Sequence, residues 1–258
     1  MKKRLFYFLL CVSLIILKGS VAALVLDRQD VSREYYANIP TYTPNLNNAN
    51  IQLKHPLECA KTNQTFETFS PAFPTEFKEL PSFIGWIYSE GTKINYPIMQ
   101  GSDNEYYLSH LPDGREGRQG AIYIDFRNAG DFTDRHTLIY GHDMRSQDMF
   151  GSLKNYRRQE YYDLHPTIII ETLKKRFELV VFSAYLVDAA REAPRIFFYD
   201  DKDFKRYVYE IKARSIFKSD VQIAEIDRIV SLCTCSTEYE HARLIVVGKL
   251  VEIGKIST

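Results

Sequence analysis

The sequence has few cysteines: Cys11, Cys59, Cys233 and Cys235 are the four in 258 residues. Because they are so few and so unevenly spaced, they exclude a domain built on a disulfide framework. They also argue against a structural zinc site, since no second close pair accompanies Cys233 and Cys235. Folding must therefore rest on packing. With 45% hydrophobic and 14% aromatic residues a large core is available, which excludes a disordered or fibrous chain.

The chain also lacks an excess of charge of one sign, because 33 basic residues balance 33 acidic residues. A protein that binds nucleic acid through a general positive field needs a basic excess. We therefore expect no nucleic-acid partner. An internal repeat is absent as well, and the length fits one domain or one domain with an appendage.

An apolar run of modest length begins near the N-terminus, directly after the cationic residues at positions 2–4. Leu5 to Leu17 is short for a bilayer span, but Leu5 to Leu26 is long enough. A cleaved secretory signal and an uncleaved anchor both fit, and both predict that the rest of the chain lies outside the cytoplasmic membrane. We predict that residues 1–26 are this signal or anchor and that 27–80 are an extracytoplasmic spacer with short helices, because turn-forming Asn, Pro and Thr concentrate at 38–50.

From residue 81 onward, short runs rich in Ile, Val, Tyr and Phe predict a closed or nearly closed β-sheet. The predicted strands are Phe83–Tyr88, Ile94–Met99, Ala121–Asp125, Thr137–Tyr140, Thr167–Glu171, Phe177–Leu186, Val221–Ala224, Arg228–Thr234 and Leu244–Ile253. Helices are predicted at Asp103–His110, at Met149–Asn155 and, from an apolar repeat at i, i+3, i+4 and i+7, at Asp201–Ala213.

One predicted strand ends at Cys235, in a cluster of small polar residues where reactive groups are common. A nucleophilic role for Cys235 requires a nearby cation or imidazole that favours the thiolate. Three alternatives stay open: Cys235 is a buried hydrophobe, it forms a redox pair with Cys233, or the chain is a membrane-tethered binding module without chemistry. Cys233 and Cys235 share one face of a regular strand, which is compatible with the redox alternative.

Two histidines compete as the partner of this thiol. His142 follows a strand that runs into a Gly-His turn, and His241 comes six residues after Cys235. His136 and His165 read more simply as turn or surface residues. Arg243 opens the last strand, and it returns to Cys235 if the last two strands are antiparallel neighbours. A guanidinium there could stabilise a thiolate or a developing oxyanion, although a surface Arg is the commoner case.

These motifs, in this order, resemble the sortases, and specifically class B. The resemblance spans Phe83 to Ile253, and its motifs are FIGWI at 83–87, NYPI at 95–98, DNEYYL at 103–108, TLIYGHDM at 137–144, SLCTC at 231–235, and Arg243. It implies a mainly β fold, a closed eight-stranded barrel with a few helices, one of them before the Cys strand, and an N-terminal membrane anchor. The catalytic domain is then residues 81–258, in a single-pass protein of a Gram-positive cell membrane whose catalytic part is extracytoplasmic.

The resemblance also implies the chemistry. Cys235 is then the nucleophile of a cysteine transpeptidase, His142 its general acid and base, and Arg243 its electrostatic stabiliser, with no metal or cofactor. The implied partners are the C-terminal sorting signal of a secreted protein, a peptidoglycan cross-bridge amine or pilin Lys as acceptor, and the membrane through the N-terminal helix. The side chains predicted to contact substrate are Asn104, Leu108, Cys233, Thr234 and Ser236, and Ala193–Phe198 matches the loop that covers the sorting signal. Cys233 departs from the family, which usually has a small hydroxyl residue there.

Overall fold

A computed structural model of the chain describes residues 31–44, 67–69, 73–235 and 241–256, with the backbone alone at 67–69, 235, 255 and 256. Residues 31–38 form helix α1. The remaining elements are β1 (Glu67–Phe69), α2 (Thr75–Lys78), β2 (Phe83–Tyr88), β3 (Asn95–Met99), α3 (Tyr106–Ser109), β4 (Ile122–Ile124), β5 (His136–Tyr140), a 3-10 helix (Gly151–Arg157), α4 (Gln159–Leu164), β6 (Thr167–Thr172), β7 (Lys175–Asp188), α5 (Asp201–Ala213), β8 (Arg228–Cys235) and β9 (Ala242–Ile256).

The eight strands β2 to β9 close into a ring. Their order around it is β9-β7-β6-β2-β3-β4-β5-β8, and β8 pairs back with β9. Two neighbouring pairs, β3 with β4 and β5 with β8, run parallel, and the others are antiparallel. The short strand β1 pairs in parallel with the far end of β9, beyond the last residue that β8 reaches. The predicted eight-stranded barrel is confirmed.

Alternation along the strands separates the barrel interior from its outer layer. In β8, Val230 and Leu232 pack inside with residues of the opposite wall, whereas Ile229 and Cys233 pack in an outer cluster. This is the period of two that a strand imposes on its side chains. Ser231, between Ile229 and Cys233 in this alternation, is therefore on the outer face, where the candidate site lies.

Helix α5 covers part of this outer face. Asp200 caps it, since its carboxylate accepts a hydrogen bond from the Asp203 backbone N–H at 2.8 Å. The apolar side chains at the predicted helical spacing, Phe204, Tyr207, Val208 and Ile211, are all buried against the sheet. The predicted helix and its bounds are confirmed.

The chain before residue 81 also packs on the barrel. Tyr42, Phe73 and Phe77 surround the buried Trp86, and the Tyr36 hydroxyl of α1 donates to the Gly120 carbonyl oxygen at 2.6 Å. Part of the segment predicted as a spacer therefore completes the core. The boundaries at residues 26 and 80 stay predictions.

The strand predicted at Val221–Ala224 is wrong, because this segment is irregular in the structure. Its apolar residues instead fill space beside α5, where Lys212 donates to the Val221 carbonyl oxygen at 2.6 Å. The interpretation of His136 as a turn or surface residue is also wrong, since its side chain is fully buried at the start of β5.

The predicted single-pass location in the cell membrane is contradicted. No helix in the described residues is sufficiently long and apolar to cross a membrane. The run that motivated the prediction, residues 1–26, lies outside the described residues.

Candidate active site

The strands that end at one rim of the barrel bring the predicted catalytic residues into neighbouring positions. Cys235 is the last residue of β8 and pairs across the antiparallel ladder with Arg243, near the start of β9. The Arg243 side chain is half-buried, and its Nη1 donates to the Ala242 carbonyl oxygen at 3.2 Å. None of the salt bridges among the described residues involves Arg243.

His142 follows β5, the strand that flanks β8 on its other side. Tyr140 pairs with Cys233 in register, and the Gly141 N–H donates to the Cys233 carbonyl oxygen at 3.2 Å, which carries the chain towards the Cys235 end of β8. The His142 Nε2 lies 2.7 Å from the Leu108 carbonyl oxygen. Because a carbonyl oxygen only accepts, Nε2 carries a proton, and Nδ1 is left to exchange one.

His241, the competing imidazole, lies on the connection between β8 and β9. It is exposed and has a positive φ of 63°. Its backbone carbonyl oxygen accepts a hydrogen bond from the Ala189 N–H at 3.0 Å. The main chain of this residue thus joins the β8–β9 connection to the segment that follows β7.

A buried carboxylate organises the surface beside these residues. Asp125, directly after β4, is fully buried and accepts two side-chain hydrogen bonds from Arg127, each 2.8 Å long. It also accepts one from Asn104 Nδ2 and one from the Tyr140 hydroxyl, both at 3.0 Å. Burial raises the pKa of Asp125, but these hydrogen bonds outweigh burial and hold it below its ordinary value. Asp125 is therefore ionised, and its carboxylate connects the segments that contain Asn104, Arg127 and Tyr140.

The predicted substrate contacts Asn104 and Leu108 lie on the segment that carries α3. The Asn104 amide is already bonded within the protein, to Asp125 and, through its Oδ1, to the Phe126 N–H at 3.0 Å. Leu108 is 45% exposed and Phe126 is 48% exposed. The structure thus leaves an apolar surface next to His142, with Asn104 held in place behind it.

Cys233 and Thr234 are buried, each with 3% exposure. Cys233 is a free thiol in the outer cluster under α5, and its pKa is raised by burial and by the nearby Asp125 carboxylate. A thiol held in its protonated form is a poor nucleophile, which argues against the redox alternative. This placement favours packing over contact with substrate for both residues. Ser236 lies outside the described residues.

Two residues that organise the site escaped the sequence analysis. Asp125 was assigned to the end of a strand, and its one local signal is the basic Arg127 two positions later. His136 has no local signal, because its partners, Arg195 and Ser231, are 59 and 95 residues away along the chain.

A family model, the sortase domain, matches residues 87–251 of the chain, a region that contains the barrel rim and all three predicted catalytic residues. The chain belongs to the sortase family.

Relatives narrow this assignment to class B. The sortase chain is 36% identical to Sortase B of Listeria monocytogenes over 170 residues, which cover 65% of this chain and 69% of that protein. It is 33% identical to Sortase B of Staphylococcus aureus over 190 residues, 73% of this chain and 78% of that protein. A solved Staphylococcus aureus sortase B–substrate complex superposes with a TM-score of 0.66 at 32% identity, covering 70% of this chain and 85% of that one. The protein is therefore a class B sortase, a cysteine transpeptidase.

Proposed function

We propose that this sortase cleaves the C-terminal sorting signal of a secreted protein through a thioester on Cys235 and transfers the acyl group to an amine of peptidoglycan or to a pilin Lys. The observation that carries the proposal is the pairing of Cys235 with Arg243 at the rim where His142 also emerges. The existence of a Staphylococcus aureus sortase B–substrate complex with this fold supports the binding of a substrate by this barrel.

In the first step the Cys235 thiolate attacks the carbonyl carbon of the scissile peptide bond. The oxyanion that forms is stabilised by the Arg243 guanidinium. The C–N bond then breaks while His142, as imidazolium, protonates the leaving amine, which leaves a thioester. In the second step the acceptor amine attacks this thioester and gives a proton to His142, and the Cys235 thiolate departs.

The hydrogen bond from His142 to Leu108 supports the assignment of His142. It fixes the orientation of the ring and gives Nε2 a permanent partner, so one nitrogen handles the proton in both steps. Leu108 thus has two proposed roles. Its carbonyl oxygen accepts the hydrogen bond from His142, and its exposed side chain contacts the peptide.

The remaining boundaries are proposals as well. We propose that residues 81–258 are the catalytic domain and that residues 27–80 precede it as a segment of their own. The packing of Tyr42, Phe73 and Phe77 around Trp86 indicates that this preceding segment also supports the barrel.

The proposal is tested with a library of sorting peptides, with and without added amine, and with detection of the acyl-enzyme by mass spectrometry. We expect Cys235→Ala to abolish both thioester formation and cleavage, and turnover by this variant would contradict the proposal.

His241→Ala is the matched control for His142→Ala, because both side chains lie on connections at the same rim. We expect His142→Ala to lower kcat by at least about 100-fold and His241→Ala to leave it within about threefold. Arg243→Ala should lower kcat by about 100-fold or more, and the reverse ranking of the two histidines would show that the wrong imidazole was assigned.

A further inference from the structure

A fully buried histidine on the candidate-site face joins two segments that are far apart in the sequence. His136, the first residue of β5, has its Nδ1 2.5 Å from the Arg195 carbonyl oxygen. Since that oxygen only accepts, Nδ1 carries the proton, and Nε2 of the neutral ring accepts the Ser231 hydroxyl at 2.8 Å. Burial lowers the pKa of His136 to about 4, so the ring keeps this neutral form at ordinary pH.

The two partners of His136 belong to different parts of the site. Ser231 lies on β8, four residues before Cys235. Arg195 lies in the connection 189–200 between β7 and α5. His136 is therefore the link between this connection, which we call the 189–200 segment, and the strand that ends in the proposed nucleophile.

Three contacts attach the backbone or rings of the 189–200 segment to its surroundings, in addition to the ion pairs of Glu192 with Arg214 and of Arg195 with Asp203. At its start the Ala189 N–H donates to the carbonyl oxygen of His241, on the β8–β9 connection. In the middle the Arg195 carbonyl oxygen accepts from His136. Towards its end the Phe198 ring packs on Tyr207 of α5 with 5.3 Å between the ring centroids. The segment therefore lies along the outer face beside β8.

These attachments decide which side chains of the segment meet solvent. Ile196 is buried, whereas Phe197 is 72% exposed. The Phe198 and His136 rings are stacked, with 6.4 Å between their centroids. The bond to His136 holds the backbone of Arg195, the residue just before this alternation, whereas the Arg195 guanidinium pairs with Asp203 of α5. Loss of the bond would therefore loosen the backbone next to Phe197 from β5 while the side chain of Arg195 stays attached to α5.

We propose that His136 is a positioning residue of this sortase: by bridging Arg195 and Ser231 it holds the 189–200 segment against β8 and so shapes the surface that receives the sorting peptide beside Cys235. The proposal rests on the proposed function for the identity of the peptide. His136 is buried beneath the segment, and it acts through the segment alone.

Three substitutions separate the two halves of the bridge. His136→Asn keeps an N–H group near the position of Nδ1, so it can still donate to Arg195. His136→Gln reaches the position of Nε2 and can still pair with Ser231, but it gives up the donor to Arg195. Ser231→Ala removes only the hydroxyl. His165→Gln is the matched control, because the Nδ1 of His165 also donates to a backbone carbonyl oxygen, that of Glu90 at 3.1 Å, in a different part of the fold.

The first measurement is hydrogen exchange of the 189–200 amides, which needs no substrate. We expect His136→Gln to speed exchange in this segment by about tenfold, as the loss of one hydrogen bond allows, with the barrel strands unchanged. His136→Asn should restore much of the protection, and His165→Gln should match the wild type. Unchanged exchange in His136→Gln, or faster exchange throughout the barrel in every His136 variant, would overturn the proposal.

The second measurement separates binding from chemistry. For the sorting peptide, His136→Gln should raise KM by about threefold to tenfold with kcat within about twofold, since the reacting groups are untouched. Alkylation of Cys235 by a small thiol reagent should keep its wild-type rate. A fall in kcat or in the alkylation rate at unchanged KM would contradict a positioning role. If the wild-type protein cleaves no sorting peptide, the proposed function fails, while hydrogen exchange still decides whether the bridge holds the segment.

If His136→Gln does not fold, His136→Asn and Ser231→Ala carry the same test with smaller expected changes. Both keep the donor to Arg195, so a rise in KM for either must be accompanied by faster exchange in the 189–200 segment. A rise in KM without that change in exchange would refute the proposal.

Discussion

Asp125→Asn is expected to destabilise the protein strongly although it changes little in shape. Oδ1 of Asp125 accepts from the N–H and from Nε of Arg127, and Oδ2 accepts from Arg127 Nη2, Asn104 Nδ2 and the Tyr140 hydroxyl. An asparagine must present its NH₂ group to one of these two sets. In the less costly orientation the NH₂ group takes the place of Oδ1. The two hydrogen bonds that Arg127 donates to Oδ1 are then lost, and the N–H and Nε of Arg127 both face the NH₂ group, which is itself a donor.

The cost follows from these two bonds. A hydrogen bond to a charged group contributes about 1.5–3 kcal/mol, and the 44% exposure of the Arg127 side chain lets water replace part of this. We therefore expect a loss of about 3 kcal/mol in the free energy of unfolding, or about 6–12 °C in Tm for a domain of this size. Urea unfolding followed by circular dichroism measures the first quantity, and differential scanning calorimetry measures the second.

Asp131→Asn is the control for this substitution. Asp131 is exposed and accepts from the N–H and the hydroxyl of Thr133, so it is also a carboxylate that caps a turn. Because water can solvate both groups, we expect a cost below about 1 kcal/mol. If Asp125→Asn costs no more than Asp131→Asn, the reasoning that Asp125 holds the site together is refuted.

Two further predictions concern single residues. The pKa of His136 is lowered from 6.5 to about 4, so the unfolded chain binds a proton between these values while the folded protein does not. Stability should be complete above pH 6.5 and should fall by about 3 kcal/mol towards pH 4. Urea unfolding measured across this pH range should show that the free energy of unfolding depends less steeply on pH in His136→Asn than in the wild type. An equal dependence on pH in both proteins would show that other groups cause the loss of stability. Gly120→Ala should cost more in Tm than Gly114→Ala, although φ is positive at both. A Cβ at residue 120 would lie 2.2 Å from the Tyr107 carbonyl oxygen, whereas the nearest atom at residue 114 is the Tyr106 hydroxyl at 3.4 Å. Equal costs would mean that backbone conformation alone matters.

The sequence was a good guide to the fold wherever a side-chain pattern repeats. Asp201–Ala213 was predicted with its observed bounds because four apolar residues at helical spacing face the sheet and the flanking residues do not. Short elements have no room for such a pattern, which is why β1 and α4 were missed. Val221–Ala224 was misassigned because its apolar residues fill space beside α5, a contact that local sequence does not encode.

The sequence was likewise a good guide to some residues of the candidate site and no guide to others. Cys235, His142 and Arg243 were predicted because each lies at or near the end of a strand, and strand ends are visible in the sequence; their catalytic roles stay predictions. The network around Asp125 and the bridge through His136 were missed because they join residues from distant segments, which only the closed barrel brings together. Candidate residues at strand ends could thus be proposed from the sequence, whereas the hydrogen-bond networks of Asp125 and His136 could not.

The closure of the barrel limits how an extended peptide can bind. In the part of the chain that the structure describes, each of the strands β2 to β9 pairs on both sides over at least part of its length, so no strand of the ring has a wholly free edge. Many proteins recognise extended peptides by adding them as a further strand, which supplies affinity through the main chain whatever the sequence of the peptide. In this barrel no strand offers a whole free edge for that route. Under the proposed function we therefore expect selectivity to depend mainly on exposed side chains such as Leu108 and Phe126, so that one substitution on this surface alters the choice of peptide without breaking a hydrogen bond of the sheet.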